Sequence, residues 1–299
     1  MRIAVTGRDG QVATALAEIG ERTGAARGIE IIRLGRPELD LAEPGTVQAA
    51  LAQTRPDAIV NAAAFTAVDL AETEAEAAFA VNAAGAGAVA AAARALSVPV
   101  IQLSTDYVFD GRKPSPYRED DPTGPVSIYG KSKLAGEQAV AAATPDHVIL
   151  RTAWVYAPYG KNFVLTMLRL AETRDELRVV ADQHGCPTYA PDIAEALIAV
   201  AANLLARPGD AGLRGIFHLT GAGEATWAQL AEETFALARQ FGGSGARVTP
   251  ITTAEYPTPA RRPQNSRLDG TKLAQLHGVR LPDWRQSLAR CVARLYGAA

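Results

Sequence analysis

From Arg2 to Thr152 the chain alternates short runs of aliphatic residues with longer helix-forming stretches. The runs are Arg2–Thr6, Glu30–Leu34, Ala58–Asn61, Val100–Ser104 and Val148–Thr152, dominated by Val, Ile and Leu. That is the composition of strands buried on both faces. Between them lie helical stretches at Gln11–Gly20, Gly45–Arg55, Glu74–Leu96 and Ser132–Ala143. Parallel strands need a crossover, and a helix is the usual one. The alternation therefore predicts an α/β fold with a doubly wound parallel sheet.

The rest of the chain reads differently. Helices are expected at Phe163–Thr173, Pro191–Leu205 and Thr226–Phe241, and one more central strand at Gly215–Leu219. A Gly-rich break at 242–245 and a Pro/Arg-rich passage from Tyr256 to Arg267 follow, the kind of segment that serves as a binding loop. The expected organisation is a core of residues 1–156, completed by about 190–220. A smaller, mixed α/β C-terminal lobe of residues 157–189 and 221–299 would take the substrate.

Composition narrows the function. At 48% hydrophobic and 21% charged residues over 299 positions, the chain is a globular protein. Thirty Lys and Arg against 32 Asp and Glu give a net charge of -2, so no bulk cationic field invites nucleic acid or an anionic membrane. Cys186 and Cys291 stand far apart, as reduced thiols do, and His147, His184, His218 and His277 show no zinc spacing. The N-terminus reads as the first strand rather than a secretory leader. The Ala-rich stretch from Val81 to Ala95 is broken by Asn82 and glycines. A soluble cytoplasmic protein is expected.

Directly after the first strand comes Thr6-Gly7-Arg8-Asp9-Gly10-Gln11-Val12-Ala13, a G-x-x-G-x-x-A turn opening a helix. Glycines let such a turn approach a pyrophosphate, and the helix N-terminus offers free N–H groups. Taken alone, the same glycines serve an ordinary tight turn. Their place at the head of a strand-helix series favours a dinucleotide. The second strand ends at Leu34-Gly35-Arg36 with no carboxylate to bind a ribose, and Arg36 can pair with a 2′-phosphate. NADPH is therefore expected, with NADH as the alternative. Asp40 and Leu41 follow at a place that can lie over the adenine.

Tyr129-Gly130-Lys131-Ser132-Lys133 places a phenol and an ammonium four residues apart at the start of a helix, on one face. Reduction of a ketone leaves an alkoxide that must be protonated. A phenol of pKa about 10 is a weak acid near neutrality, and a nearby cation favours its ionised form. The fourth run ends in Ser104-Thr105-Asp106-Tyr107, where sheets of this kind bind ligands. A hydroxyl there, Thr105 or Ser104, can donate to a substrate carbonyl.

These residues together resemble the extended short-chain dehydrogenase/reductases, and within them the dTDP-4-dehydrorhamnose reductase branch. The likeness covers nearly the whole chain. It rests on Gly7–Ala13, Asn61–Asp69, Ser104–Gly111, Tyr129–Glu137, Arg151–Tyr156, Gly185–Thr188 and the passage from Pro257 to Leu268, with its Arg-Arg-Pro-x-Asn-Ser. It implies a Rossmann core and a reduction of the 4-keto group of dTDP-4-dehydro-L-rhamnose to dTDP-L-rhamnose. It implies Thr105, Tyr129 and Lys133 as the catalytic triad. Gly7, Gly10, Gln11 and Val12 fall at the pyrophosphate turn, Asp40 and Leu41 at the adenine, and Ala63, Ala64, Phe65 and Thr66 at the third strand's end. Tyr129 and Lys133 also contact the cofactor. Val68, Thr105, Asp106, Tyr107 and Trp154 face the sugar nucleotide.

Physical chemistry adds to this list. Trp154 and Tyr107 can stack on a deoxyhexose. Arg261, Arg262 and Arg267 can bind a diphosphate, on a loop that Pro257, Pro259 and Pro263 stiffen. Asn162 is a further sugar-nucleotide candidate. Some relatives are described as magnesium-bridged dimers held by acidic residues. The matching stretches here carry Ala15, Pro191 and Arg285-Gln286-Ser287, none a carboxylate, which argues against Mg²⁺ and for a monomer or weak homodimer. The competing readings are a reductase, epimerase or dehydratase of another nucleotide-linked 4-keto-6-deoxy sugar, and a non-catalytic regulatory subunit of the same fold.

Overall fold

A computed structural model describes residues 1–297. At its centre is a six-stranded sheet of β1 (Arg2–Thr6), β2 (Glu30–Leu34), β3 (Ala58–Asn61), β4 (Val100–Thr105), β5 (His147–Thr152) and the strand Gly215–His218. All neighbours pair in parallel, in the order Gly215–His218, β5, β4, β3, β1, β2. Every strand expected from the first half is present, and β4 runs on to include Thr105. From β1 the chain steps outward to β2, then back past β1 to β3. The strand order therefore switches between β1 and β3, and the crevice for a ligand opens at their carboxyl ends.

Both sheet faces are covered. Helices Gln11–Arg27 and Ala190–Ala206 bury Leu16, Ile19, Ile193 and Leu197 against one face, with Ile3, Val5 and Phe217. Pro44–Thr54 and Ala86–Ala95 bury Leu51, Val89 and Ala93 against the other, with Ala4 and Ile59.

The single helix expected over Glu74–Leu96 is divided in three. A π-turn at Ala80–Gly85 separates α-helices Ala75–Phe79 and Ala86–Ala95. By length and composition this run could cross a membrane. In the fold it is a core element, with Val89, Ala90 and Ala93 fully buried. Asn82 lies within the π-turn, and its side chain is bonded to Phe65 and Ser132 outside it.

Beyond the sheet lies a second group of elements. Glu176–Val180 pairs in parallel with Arg247–Ile251, and His184–Gly185 lies between Ala225–Thr226 and Asn265–Ser266. Helices Phe163–Ala171, Trp227–Gln240 and Trp284–Leu295 pack around Tyr156, Val164, Leu230, Trp284 and Leu288. Thr226 starts the middle helix with a capping box to Gln229, and Asp283 caps the last by accepting from Arg285 N–H. The paired strands at 176–180 and 247–251 and the helices Thr271–His277 and Trp284–Leu295 are elements the sequence reading did not anticipate.

Candidate active site

The site is built where helix Ile128–Ala143 meets the end of β4. Ser127 caps the helix, its hydroxyl accepting from Gly130 N–H at 3.1 Å. Two glycines permit the close approach. A Cβ on Gly130 would stand 2.3 Å from the Tyr107 carbonyl oxygen, and one on Gly136 2.0 Å from that of Asn82. Consecutive residues of β4 are then matched to positions four apart on the helix. Leu103 O accepts from Lys133 Nζ at 2.8 Å, and Ser104 Oγ donates to Glu137 Oε1 at 2.5 Å. The Thr105 hydroxyl is close enough to the Tyr129 phenol to act on its ionisation, though burial acts more strongly. Of the two candidate hydroxyls, Ser104 is thus taken by Glu137, and Thr105 faces the tyrosine.

The triad is desolvated: Tyr129 is 9% and Lys133 4% exposed. Burial pushes the Tyr129 phenol up, and the Asp106 carboxylate and Tyr107 add to that, against the Thr105 hydroxyl. Burial also pushes Lys133 down, to about 8, with the Glu137 carboxylate opposing. The expectation that the neighbouring ammonium makes this phenol more acidic is therefore corrected. Desolvation sets the direction, Lys133 is not among the groups that act on the phenol, and its ammonium is directed at the Leu103 carbonyl. Asp106, 3% exposed, accepts from Thr105 Oγ1 at 2.9 Å through one oxygen, while its Oδ2 has no partner. Burial raises its carboxyl to about 6.

The dinucleotide turn opens between β1 and the helix Gln11–Arg27. Gly7 has φ +94, and a Cβ there would press on the Ala63 backbone at 3.3 Å. Gly10 precedes the helix with no side chain to cap it, and a Cβ placed on it meets nothing within 4 Å. A backbone approach to phosphate is open at this point, with the N–H groups of Gln11 and Val12 in the first helical turn. The side chain of Gln11 is not free, since it accepts from Asn162 Nδ2 at 3.0 Å.

Residues 63–66 form the opposite wall. Ala63 N–H donates to Thr6 Oγ1 at 3.2 Å, and Phe65 is held at both backbone groups by the Asn82 carboxamide at 2.8 and 3.0 Å. Ala64 is half-buried and Thr66 exposed. Arg36 is exposed at the end of β2, and two more guanidinium groups join it. Arg33 donates to Arg8 O at 2.9 Å, and Arg8 pairs with Glu38 at 2.7 Å. Asp40 accepts from Ala42 N–H at 3.0 Å. Leu41 is buried in the sheet's core, with its carbonyl against Gly85, so its side chain is not available to an adenine. The residues present fit a phosphorylated dinucleotide.

On the substrate side, Val68, Phe65 and Tyr107 pack about Tyr129, and the Tyr107 and Tyr129 rings meet edge to face at 5.5 Å. Arg262 reaches this cluster, pairing with Asp69 at 2.8 Å, and its charge opposes the burial and the Asp106 carboxylate that push the Tyr107 phenol up. The other two arginines do not. Arg261 is exposed, and Arg267 is spent on Asn265, Glu224 and Pro114 O at 2.8, 3.0 and 2.5 Å.

Two further expectations are corrected. Asn162 caps helix Phe163–Ala171 and donates to Gln11, Ala157 and Tyr159, so its amide is consumed in structure. Trp154 stacks on Trp227 at 3.5 Å, and its indole lies against Gly185. The face meant for a sugar is taken by another indole. It is held there by a left-handed backbone, φ 50, that is unusual for a bulky residue.

Among the described residues no cluster of three His, Cys, Asp or Glu side chains could hold a metal ion. Asp192, which follows Pro191, is neutralised by Arg290 at 2.7 Å and accepts from Ser287 at 2.5 Å. This donor set does not fit a hard cation, which needs several free oxygens.

Asn82, Glu137, Arg151, Asp69, Arg8 and Arg33 were not singled out from sequence. A signal existed for two of them. Asn82 interrupts an otherwise apolar helix, and Glu137 lies one turn beyond Lys133 on the same face.

The chain is similar to known proteins along its whole length. It is 56% identical over 292 residues to the dTDP-4-dehydrorhamnose reductase of Sinorhizobium fredii, covering 98% of this chain and 97% of that protein. It is 45% identical over 300 residues to the enzyme of that name from Burkholderia thailandensis, covering 99% of each. Among solved structures, dTDP-4-dehydrorhamnose reductase from Bacillus anthracis, in complex with NADP, superposes with a TM-score of 0.88 at 35% identity, over 98% of this chain and 99% of that one. The model of the RmlD substrate binding domain matches residues 1–296, and the chain belongs to that family.

Proposed function

We propose that this protein reduces the 4-keto group of dTDP-4-dehydro-L-rhamnose to give dTDP-L-rhamnose, with NADPH as the reductant. The observation that carries the reading is the meeting of Thr105, Tyr129 and Lys133 at the carboxyl end of β4, beside a glycine turn open to phosphate and across from Arg262. The similarity to enzymes of that name supports the choice of substrate. The guanidinium groups of Arg33 and Arg36 at the end of β2, where the Glu38 carboxylate is already held by Arg8, support NADPH over NADH.

Gly7, Gly10, Gln11 and Val12 would hold the pyrophosphate through backbone groups, and Ala63–Thr66 the opposite wall. When bound, the reduced nicotinamide supplies hydride. Thr105, whose single hydroxyl proton goes to Asp106 here, would turn that proton to the substrate carbonyl oxygen and so fix its direction. Tyr129 gives its proton to that oxygen. Lys133, whose ammonium donates to Leu103 O here, would hydrogen-bond the nicotinamide ribose hydroxyls and so hold the hydride donor beside Tyr129. Val68, Asp106 and Tyr107 line the sugar's side, and Arg262 supplies positive charge for the diphosphate. In this reading residues 1–156 with about 190–220 bind the dinucleotide, and 157–189 with 221–299 close over the sugar nucleotide. The protein acts in the cytoplasm, as a monomer or a weak homodimer.

The test is to incubate purified protein with the keto sugar nucleotide and NADPH, following nicotinamide absorbance and the sugar product together. Stoichiometric oxidation of NADPH with formation of dTDP-L-rhamnose is expected. An epimerase or dehydratase returns its cofactor at the end of each cycle, and a binding subunit consumes none. Substrate conversion without net NADPH loss, or no conversion at all, overturns the reading.

A further inference from the structure

Behind the triad lies a buried ion pair. Glu137 accepts from Arg151 Nε at 2.8 Å and from Nη2 at 2.7 Å, a two-pronged contact in which both residues are at most 3% exposed. The same carboxylate accepts from Ser104 Oγ at 2.5 Å. Arg151 stands on β5 directly opposite Ser104 on β4, and its guanidinium carbon lies 5.0 Å from the Phe109 ring centre. Removing two charges from water costs more than their attraction commonly returns, and an apolar pair of the same size often stabilises a core better. A buried pair one residue from Thr105 and one helical turn from Lys133 calls for another explanation.

That explanation is geometric. The spacing Tyr129, Lys133, Glu137 puts three side chains along one face of the helix. The second and third are fastened to Leu103 O and Ser104 Oγ. A helix fastened at one point can pivot or slide along the strand end, whereas one fastened at two consecutive residues cannot. Resting on the reductase reading above, we propose that Glu137 is a positioning residue. Anchored by Arg151, it locks the helix to Ser104, which fixes the Thr105 hydroxyl opposite the Tyr129 phenol, and it sets an anion one helical turn from the Lys133 ammonium.

The ionisable groups facing this cluster are few among the described residues. Tyr129 and Glu137 share the helix with Lys133. Asp106 and Tyr107 follow β4 and act on Tyr129, and Arg151 comes from β5. The Glu137 carboxylate is the group whose charge raises the Lys133 ammonium.

The test compares three variants with the wild type in the NADPH-linked assay across pH, alongside melting temperature and NADPH affinity by fluorescence. Glu137→Gln keeps the shape but removes the anion, leaving Arg151 as an added positive charge. Its turnover is expected to fall ~10-fold, with the alkaline limb displaced by about one pH unit toward acid. NADPH affinity should acquire the same displaced pH dependence. Glu137→Asp keeps the charge but not the reach, so its limb should stay in place while turnover falls and KM holds.

Because Glu137→Gln strands a cation and can fold poorly, the pair Glu137→Leu with Arg151→Met removes both charges and restores the melting temperature. Turnover should stay low there, since Ser104 has lost its anchor. Recovery of turnover together with stability in the double variant, or an unmoved alkaline limb in folded Glu137→Gln, overturns the proposal. An inactive wild type would instead sink the reductase reading and leave the positioning claim without a reaction to serve.

Discussion

Arg262 is clasped to Asp69: its Nη2 donates to one carboxylate oxygen at 2.8 Å, and Ala260 N–H donates to the other at 3.2 Å. The contact ties the Pro/Arg-rich loop to the segment that follows β3. It also places one partly exposed guanidinium near Tyr107, where its charge acts on the phenol.

Arg262 and Arg267 should therefore separate cleanly by kinetics. Arg262→Ala is expected to raise KM for the sugar nucleotide by ~10-fold or more, the loss of a charge-assisted contact, with little change in KM for NADPH. Arg267→Ala should leave both KM values near the wild type and lower the melting temperature, because its partners Asn265, Glu224 and Pro114 O are structural. Steady-state kinetics with each substrate varied in turn checks both, and equal effects from the two arginines would contradict the assignment.

Lys133 carries a pH prediction. Its ammonium, pushed down to about 8, is the form the mechanism uses. Activity of the free enzyme should then fall on raising the pH through about 8, earlier than a solvated lysine would allow. Stability moves the other way. Between the folded and the ordinary unfolded value the unfolded chain binds more protons, so deprotonating this lysine relieves a burial penalty as pH rises. Rate and melting temperature measured on one pH series should diverge above 8. Tyr129→Phe removes the proton donor itself and should cut turnover ~10²-fold with NADPH binding intact.

How much of this was legible in the chain depends on the range of the interaction. The strands of the sheet were readable because Val, Ile and Leu runs declare two-sided burial. Tyr129 and Lys133 were readable because helical spacing is local. Spacing alone did not choose Thr105 over Ser104; the family resemblance did, and its structural reason is Glu137, 33 residues from Ser104. The fate of Trp154 or Asn162 was not readable. An indole looks the same in sequence whether it meets a sugar or Trp227, and an asparagine whether it meets a substrate or caps a helix. The strands at 176–180 and 247–251 were missed for a related reason. Arg247-Val248-Thr249-Pro250-Ile251 carries a proline that argues against a central strand, yet it sits in a two-stranded pair where a missing N–H is tolerated.

The basic cluster at the end of β2 should decide the cofactor. Arg36→Ala combined with Arg33→Ala is expected to raise KM for NADPH by ~10-fold or more and leave KM for NADH unchanged, since only the former brings a 2′-phosphate. The difference between the two cofactors should shrink as salt rises, because these side chains are exposed or half-buried. Equal losses with both cofactors would mean that the arginines serve the adenine ribose in general.

Asp106 should be the clearest case of stability surrendered to the site. Its carboxyl stands at about 6 against an ordinary 3.8, because burial disfavours the charge and Oδ2 has no partner. A raised folded value means that the folded state binds more protons than the unfolded one between about 4 and 6. The stability this group contributes is then present at low pH and lost as pH rises through that window. By neutrality the charged form costs about 2–3 kcal/mol. Asp106→Asn keeps the shape without the charge, so its melting temperature should exceed the wild type's by several degrees at pH 7. The gain should disappear near pH 4, where the wild-type carboxyl is protonated. Turnover should fall in the same variant, because Asp106 accepts from the Thr105 hydroxyl and so sets which way that hydroxyl points. Melting curves at both pH values check the first part and a turnover assay the second. A variant no more stable at pH 7 than at pH 4, relative to the wild type, would show that the buried carboxylate is compensated by groups other than Thr105.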